Sequence, residues 1–293
     1  MVEASHLAIL GFGEAARTIA TGLQGRGPAE VRVWKRKPWT DEVERCGGEA
    51  GVILCGEAAE AVAGCEVVFS LVSPDAAVDV AEKAAPHCAG KTYVDLNATT
   101  LRAMEAAGEA LSRAGGNFVD GAIMGPLGRQ KHRVSTVVSG MVAEDLAGIL
   151  QSWDMDVRAI GTRVGLASTV KMVRSVYTKG LEAIVLEFMR AAQKYGATEL
   201  VLESLEEILR LGPFLRPFRE MVDELVTEQV DHAPRRAAEM EQVVKTMEEL
   251  GVDSRMARGT LETLSQVAAL GLRDKLGDKE ATPESILGAL NAG

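Results

Sequence analysis

A short turn near the amino terminus, Gly11-Phe12-Gly13-Glu14-Ala15-Ala16, has the residue types and spacing to hold a pyrophosphate. Gly11 permits a tight turn, Gly13 lets the backbone approach the phosphates, and Ala16 takes the third, small position where a helix packs close to a strand. The start of that helix offers free N–H groups and the positive end of its dipole. A glycine pair alone can arise by chance. Here His6–Leu10 reads as the preceding strand and Ala15–Gln24 as the following helix, which is the context the motif requires. Phe12, Glu14 and Ala15 lie inside the turn and are taken with the glycines as cofactor-binding positions.

A second cluster refines the ligand. Domains that bind NAD carry Asp or Glu at the end of the second strand, about 20 residues on, to hold the ribose 2′-hydroxyl. In Val31-Arg32-Val33-Trp34-Lys35-Arg36-Lys37 that position is basic. An acid there would repel a 2′-phosphate, whereas Arg36 can grip it bidentately and Lys35 or Lys37 can add charge. The residues point to NADP (NADPH); the plainer alternative is a solvated basic turn.

The elements that must position these groups are legible as alternating patterns. Val31–Trp34, Glu66–Val72, Thr92–Leu96, Asn117–Val119 and Val134–Val138 read as further strands, with the helical Ala58–Ala63 and a helix after Ser73-Pro74-Asp75 between them. This alternation implies βαβ units and a parallel sheet. From about Leu166 helical periodicity takes over, in Ala167–Tyr195, Glu199–Leu211, Phe218–Gln229, Ala233–Leu250 and Ser254–Leu270. We expect an α/β Rossmann domain over residues 1–163, then an all-helical substrate and dimerisation domain over 164–293, with the boundary near Gly161–Gly165.

Composition excludes other classes. A net charge of −10 argues against a nucleic-acid partner. The four cysteines, Cys46, Cys55, Cys65 and Cys88, have neither C-x-x-C spacing nor histidines at metal-ligand intervals, so no metal is expected and reduced thiols are. No apolar run approaches the roughly 18 residues of a membrane span, and no signal segment is visible, so the expected location is the cytoplasm. H-E-x-x-H, G-x-S-x-G and a Walker lysine are all absent from the sequence.

With these residues placed, the chain resembles the β-hydroxyacid dehydrogenase superfamily, which includes 3-hydroxyisobutyrate dehydrogenase, 6-phosphogluconate dehydrogenase and the glyoxylate/succinic semialdehyde reductases. The likeness runs over most of the chain and is strongest in its first 180 residues. It looks nearest to a branch with a 6-phosphogluconate dehydrogenase-like helical C-terminal half. Trp34-Lys35-Arg36 is similar to the W-N-R-T of NADP-using members, with Arg36 on the family arginine. Phe69-Ser70-Leu71-Val72-Ser73-Pro74 resembles the segment whose backbone lies along the cofactor, which implies that Val72 and Ser73 touch it. Val94-Asp95-Leu96-Asn97-Ala98-Thr99-Thr100 resembles the V-D-x-S-T loop near nicotinamide and substrate, with Asn97 where serine is common. Val119-Asp120-Gly121-Ala122-Ile123-Met124-Gly125-Pro126 resembles the substrate segment D-A-P-V-S-G-G, with Met124 in place of a serine. In Gly165-Leu-Ala-Ser-Thr-Val-Lys171, the family's glycine opens a long helix and its lysine is the acid/base. Composition alone favours a surface lysine on an amphipathic helix; the spacing from Gly165 and the domain boundary favour the acid/base. Burial or neighbouring cations would bring its pKa toward neutrality.

One departure concerns the position four residues after the lysine, where the family carries asparagine and this chain has Ser175, which makes fewer hydrogen bonds. Around the start of a helix, His232, Arg235 and Arg236 offer an anion-binding group, of which Arg235 is the candidate; a solvated first turn is the alternative. Lys179 is more simply a surface partner of Glu182. Together these readings imply an NAD(P)-dependent dehydrogenase or reductase acting on CH–OH. It would transfer a hydride between NADPH and a small, anionic carbonyl or hydroxy acid, with Lys171 as acid/base. Asn97, Met124, Gly125, Ser175 and Arg235 would bind that substrate, in a homodimer formed through the helical domain. Two other readings stay open: an NADPH-dependent imine reductase, and an NADPH-binding sensor without turnover.

Overall fold

The apolar runs that begin at His6 and Val67 become adjacent strands of an eight-stranded sheet in a computed structural model describing residues 6–36, 38–210, 212–277 and 281–292. In chain order the strands are β1 (His6–Leu10), β2 (Glu30–Trp34), β3 (Ile53–Leu54), β4 (Val67–Ser70), β5 (Thr92–Asp95), β6 (Asn117–Ile123), β7 (Thr136–Ser139) and β8 (Val157–Ala159). Their order across the sheet is β3-β2-β1-β4-β5-β6-β7-β8. The sheet belongs to the first of two compact units, Met1–Val176 and Tyr177–Gly293.

The central strands are buried on both faces, so they read as continuous apolar runs rather than as alternations. Leu7 and Ile9 pack with Ile19, Leu23 and Phe69 on one face, while Ala8 and Leu10 pack with Val68, Tyr93 and Met104 on the other. The covering helices are α1 (Glu14–Leu23), α2 (Asp41–Glu49), α3 (Ala58–Val62), α4 (Ala77–Ala84), α5 (Leu101–Arg113), α6 (Leu127–Gln130) and α7 (Ala143–Ser152). Register aligns Leu10 with Trp34 and Ser70, Ser70 with Asp95, and Asp95 with Asp120. Five strand positions thereby share one edge, where parallel α/β sheets place their ligands.

The sheet is not wholly parallel. β7 runs antiparallel to β6, and β8 is parallel to β7. The connection from β6 holds only α6 and a 3₁₀ turn at Lys131–Arg133, so the chain doubles back instead of crossing over. The two- and three-residue strands β3 and β8 were too short to carry a periodic signal.

α8 (Leu166–Tyr195) begins in the first unit and ends in the second, which continues with α9 (Thr198–Leu209), α10 (Phe218–Thr227), α11 (Gln229–Glu249), α12 (Arg255–Ala269), α13 (Leu272–Leu276) and α14 (Pro283–Asn291). Val230, Ala233, Val267, Leu272 and Ile286 form its main core, and Ala191, Met247 and Val252 form a smaller one. α11 starts four residues earlier than the sequence pattern places it, and Pro234 lies inside it. Burial of Val230 and Ala233 in that core holds the early turn despite the proline. No helix among the described residues is long and apolar enough to cross a membrane.

Candidate functional site

At the end of β1, Gly11 has φ +105°, and a Cβ there would stand 2.1 Å from the Leu71 carbonyl oxygen. Only glycine fits that contact. The Gly11 amide donates to the Trp34 carbonyl at 2.7 Å, and the Leu71 amide donates to the Leu10 carbonyl at 2.8 Å, lacing together the ends of β1, β2 and β4. Gly13 is the N-cap of α1 with no side-chain cap, and no atom lies within 4 Å of where its Cβ would be. The first amides of α1 therefore face an open cradle of a kind that suits a phosphate. Ala16 is fully buried beneath it, as the third position of the motif requires. Phe12 is also buried, edge-on to Trp39 at 6.2 Å, while Glu14 is exposed and Ala15 half-buried. These three positions thus offer a ligand mainly their backbone.

Past β2, the Lys35 ammonium donates to the Pro38 carbonyl at 2.6 Å and sits 5.1 Å above the Trp39 ring. That anchorage shapes the loop. Arg36 is exposed and makes no hydrogen bond or ion pair among the described residues, and Lys37 lies outside them. The cradle and the free guanidinium fit a dinucleotide carrying a 2′-phosphate. Arg36→Ala is expected to weaken NADPH binding about ten- to hundred-fold with NADH affinity unchanged, as read by fluorescence titration.

The ends of β4 and β5 are tied by Asn97. Only 4% exposed, it accepts from the Val72 amide at 2.8 Å and donates to the Ser70 hydroxyl at 2.9 Å. Both ends of its amide are engaged, so this side chain positions Val72, next to the exposed Ser73. These two bonds reach residues 25 and 27 positions away, which spacing along the sequence does not reveal. Beneath it, Asp95 accepts from the Asn97 amide at 2.9 Å while its other oxygen has no hydrogen-bond partner among the described residues. Burial pushes this carboxyl up to about 7, against the opposing pull of the Asn97 hydrogen bonds.

The start of α8 is built by buried polar groups. Gly165 has φ +87°, and a Cβ there would clash with Leu101 at 2.1 Å. Asp120, fully buried on β6, accepts from the Ser168 amide at 3.0 Å, the Ser168 hydroxyl at 2.5 Å and the Ser139 hydroxyl at 3.3 Å. Ser139 in turn accepts from the Ala167 amide at 3.0 Å. Two strands thus cap one helix, satisfying its free amides and complementing its dipole. Sequence reasoning missed this role for Asp120, Ser139 and Ser168. The available signal was an acid in an otherwise apolar strand, which needs a partner when buried.

One turn beyond Ser168 stands Lys171, half-buried and with no side-chain hydrogen bond or ion pair among the described residues. Burial, and then the nearby Arg174 cation, holds its ammonium below the usual lysine range. Arg174 donates to the Met124 carbonyl at 2.9 Å, fastening the loop after β6 to α8. Met124 packs against Ala122, Val137 and Ala167. Gly125 is crowded by Gln130 and Val134, at 3.0 and 3.2 Å from where a Cβ would be. The Ser175 hydroxyl donates back to the Lys171 carbonyl at 2.9 Å, a bond within the helix. The first unit therefore brings Met124, Gly125, Arg174 and Lys171 together at the start of α8.

Arg235 belongs to the second unit, where it pairs with Glu239 at 3.1 Å, while Arg236 pairs with Glu228. These acids neutralise two cations near the start of α11. Asp231 is held bidentately by Arg273 at 2.6 and 2.8 Å. Lys179 meets Glu182 at 3.3 Å, the surface pair expected from the sequence. No group of three or more residues among the described ones is arranged to hold a metal ion.

Residues 6–99 match the family described as NADP oxidoreductase, coenzyme F420-dependent, and residues 192–267 match a domain of unknown function, DUF1932. An uncharacterised 28.5 kDa protein from Methanothermus fervidus, encoded in the 7S RNA 5′ region, is 33% identical over 202 residues, covering 69% of this chain and 76% of that protein. A solved conserved protein of unknown function, reported as structurally similar to 3-hydroxyacid dehydrogenases, is 30% identical with a TM-score of 0.60, over 90% of this chain and 97% of that one. The imine reductase from Myxococcus stipitatus, solved with NADP+, superimposes with a TM-score of 0.74 over 97% of this chain and 98% of its own, at 16% identity, which is a likeness of fold. With its Rossmann-type sheet and its helical C-terminal region, the chain belongs to the β-hydroxyacid dehydrogenase superfamily and is an NADP-dependent oxidoreductase of that fold.

Proposed function

We propose that the protein interconverts a small carbonyl compound and its alcohol, of the hydroxy-acid type, with Lys171 as the proton carrier. The observation that carries this reading is the placement of Lys171: an unpaired, partly desolvated ammonium on a helix pinned to the sheet by Asp120 and Ser139. NADPH, when bound, supplies the hydride. Gly11, Gly13 and the start of α1 would hold its pyrophosphate, and Arg36 its 2′-phosphate. In the reducing direction the Lys171 Nζ gives its proton to the oxygen of the former carbonyl, leaving a neutral amine; oxidation returns it. Arg174 and Gly125 border the same position and would orient the substrate.

A second reading has its own support. Met124 is committed to an apolar cluster and the Ser175 hydroxyl is spent on its helix, so neither supplies a polar contact for a carboxylate. That environment also suits an imine, whose C=N carries less polar baggage than a hydroxy acid. A panel of hydroxy acids, their keto forms and cyclic imines, each followed by NADPH absorbance, decides between them. Turnover confined to the C=N compounds sinks the carbonyl assignment, and NADPH binding with no turnover across the panel favours a sensor.

We further propose a homodimer through the helical region and, for the substrate, a contact from Arg235. Leu186, Leu200 and Leu215 are 66–70% exposed, and apolar area of that kind is ordinarily covered. Light scattering should return twice the 31.1 kDa of the chain.

A further inference from the structure

The run Gly128-Arg129-Gln130-Lys131-His132-Arg133 concentrates basic side chains in a chain of net charge −10. Together with Arg26, the five residues from Arg129 to Arg133 line a cleft of about 420 Å³. The cleft sits at the far end of α1 from the glycine turn. His132 packs on Gly22, 2.4 Å from where a Cβ would stand, and Gly22 is roughly 13 Å along the helix axis from Gly13.

Among the described residues, Asp154 is the carboxylate paired with the cluster. Asp154 accepts from Arg133 Nε at 2.8 Å and from its Nη2, and lies 3.5 Å from Arg26 and 3.6 Å from His132. Arg129 and Lys131 have no acidic partner among the described residues. His132 is only 4% exposed, and neither ring nitrogen makes a hydrogen bond among the described residues. Backbone conformation singles out the same place. Lys131, with φ +52°, and Asp154, with φ +61°, are the non-glycine residues of positive φ among those described. L-residues reach that region at a cost, and such strain collects at ligand sites.

We propose that this cleft is a second ligand site, which takes a small phosphorylated metabolite with its phosphate between Arg129 and Lys131. Two unpaired cations match a phosphate dianion, and the arginine fork suits its oxygens. The volume lies in the range of small-molecule sites and exceeds what a bare ion needs. Arg26 and Arg133, already held by Asp154, would frame the cleft.

Isothermal titration with inorganic phosphate and with glycerol 3-phosphate tests the site, using the full chain saturated with NADPH so that the glycine turn is filled. Ionic strength is held constant with sodium chloride. One equivalent should bind, the ester more tightly than the ion. The paired exposed substitutions Arg129→Ser and Lys131→Ser should weaken binding about ten-fold or more, with NADPH affinity retained as proof of an intact fold. Lys131→Gly should weaken it too while raising Tm by relieving the strained backbone. Absence of binding, binding unaltered by these substitutions, or equal displacement by chloride would overturn the proposal.

Discussion

Lys171→Met is expected to lower kcat by about 10²–10⁴-fold, the range lost when a positioned acid/base is removed. NADPH affinity should be nearly unchanged, because the cradle at Gly11 and Gly13 and the free Arg36 lie on other elements. Methionine keeps the apolar stem of lysine, so the packing at the start of α8 survives. Removing a partly desolvated cation should leave Tm level or higher. The pH profile adds a check that a structural role would not move. Burial and Arg174 depress the Lys171 pKa, so the proton-carrying form is present below that lowered value and lost as pH rises through it. Reduction should therefore fall along that limb and oxidation should rise. Both limbs should vanish in Lys171→Met. In Arg174→Gln the limb should shift upward as the neighbouring cation disappears, with a raised KM from the freed Met124 carbonyl. If Lys171→Met kept both turnover and limb, some other group would be the proton carrier.

What the sequence disclosed and what it concealed divide along physical lines. The glycine turn was legible because its constraint is local: Gly11 must adopt a positive φ, and Gly13 must leave space above a helix start, whatever lies elsewhere. The exposed position of Arg36 was legible for a related reason, since it lies two residues past β2 and is set by the strand that precedes it. The long helices from α8 to α12 were legible from periodicity, with ends displaced where packing overrode local preference, as at Pro234 in α11; α2, α5 and α7 carried no pattern that was read. Asn97 was read as a ligand contact because it stands in a loop that resembles such a segment, and Asp120 was read only as part of the run that resembles the substrate segment. Their partners are 25 and 48 residues away, at Val72 and Ser168, and no local pattern encodes a pairing at that range. The reversal of β7 was hidden for the same cause. A run of apolar residues fixes a strand, while its direction depends on how the connection from β6 packs.

The Asp120 carboxylate makes the second large effect predictable, and its sign separates folding from chemistry. Asp120→Ala removes the acceptor of three hydrogen bonds in a fully buried position and leaves the Ser168 amide without a partner. Losing a cap and stranding a buried donor together should cost about 3 kcal/mol. For a unit of this size that corresponds to a fall in Tm of roughly 10 °C. Asp120→Asn keeps the shape and one acceptor oxygen, so it should recover part of that loss. Catalysis adds a finer reading, because the same carboxylate fixes the first turn of the helix that carries Lys171. In folded Asp120→Asn protein, kcat should drop further than KM rises, and the lysine limb of the pH profile should broaden or move. NADPH affinity should stay near that of the wild type, since the glycine turn has no bond to Asp120. A stable Asp120→Ala protein with unaltered kcat would mean that α8 is held by its apolar contacts alone. The buried cap would then be dispensable both to the fold and to the placement of the lysine.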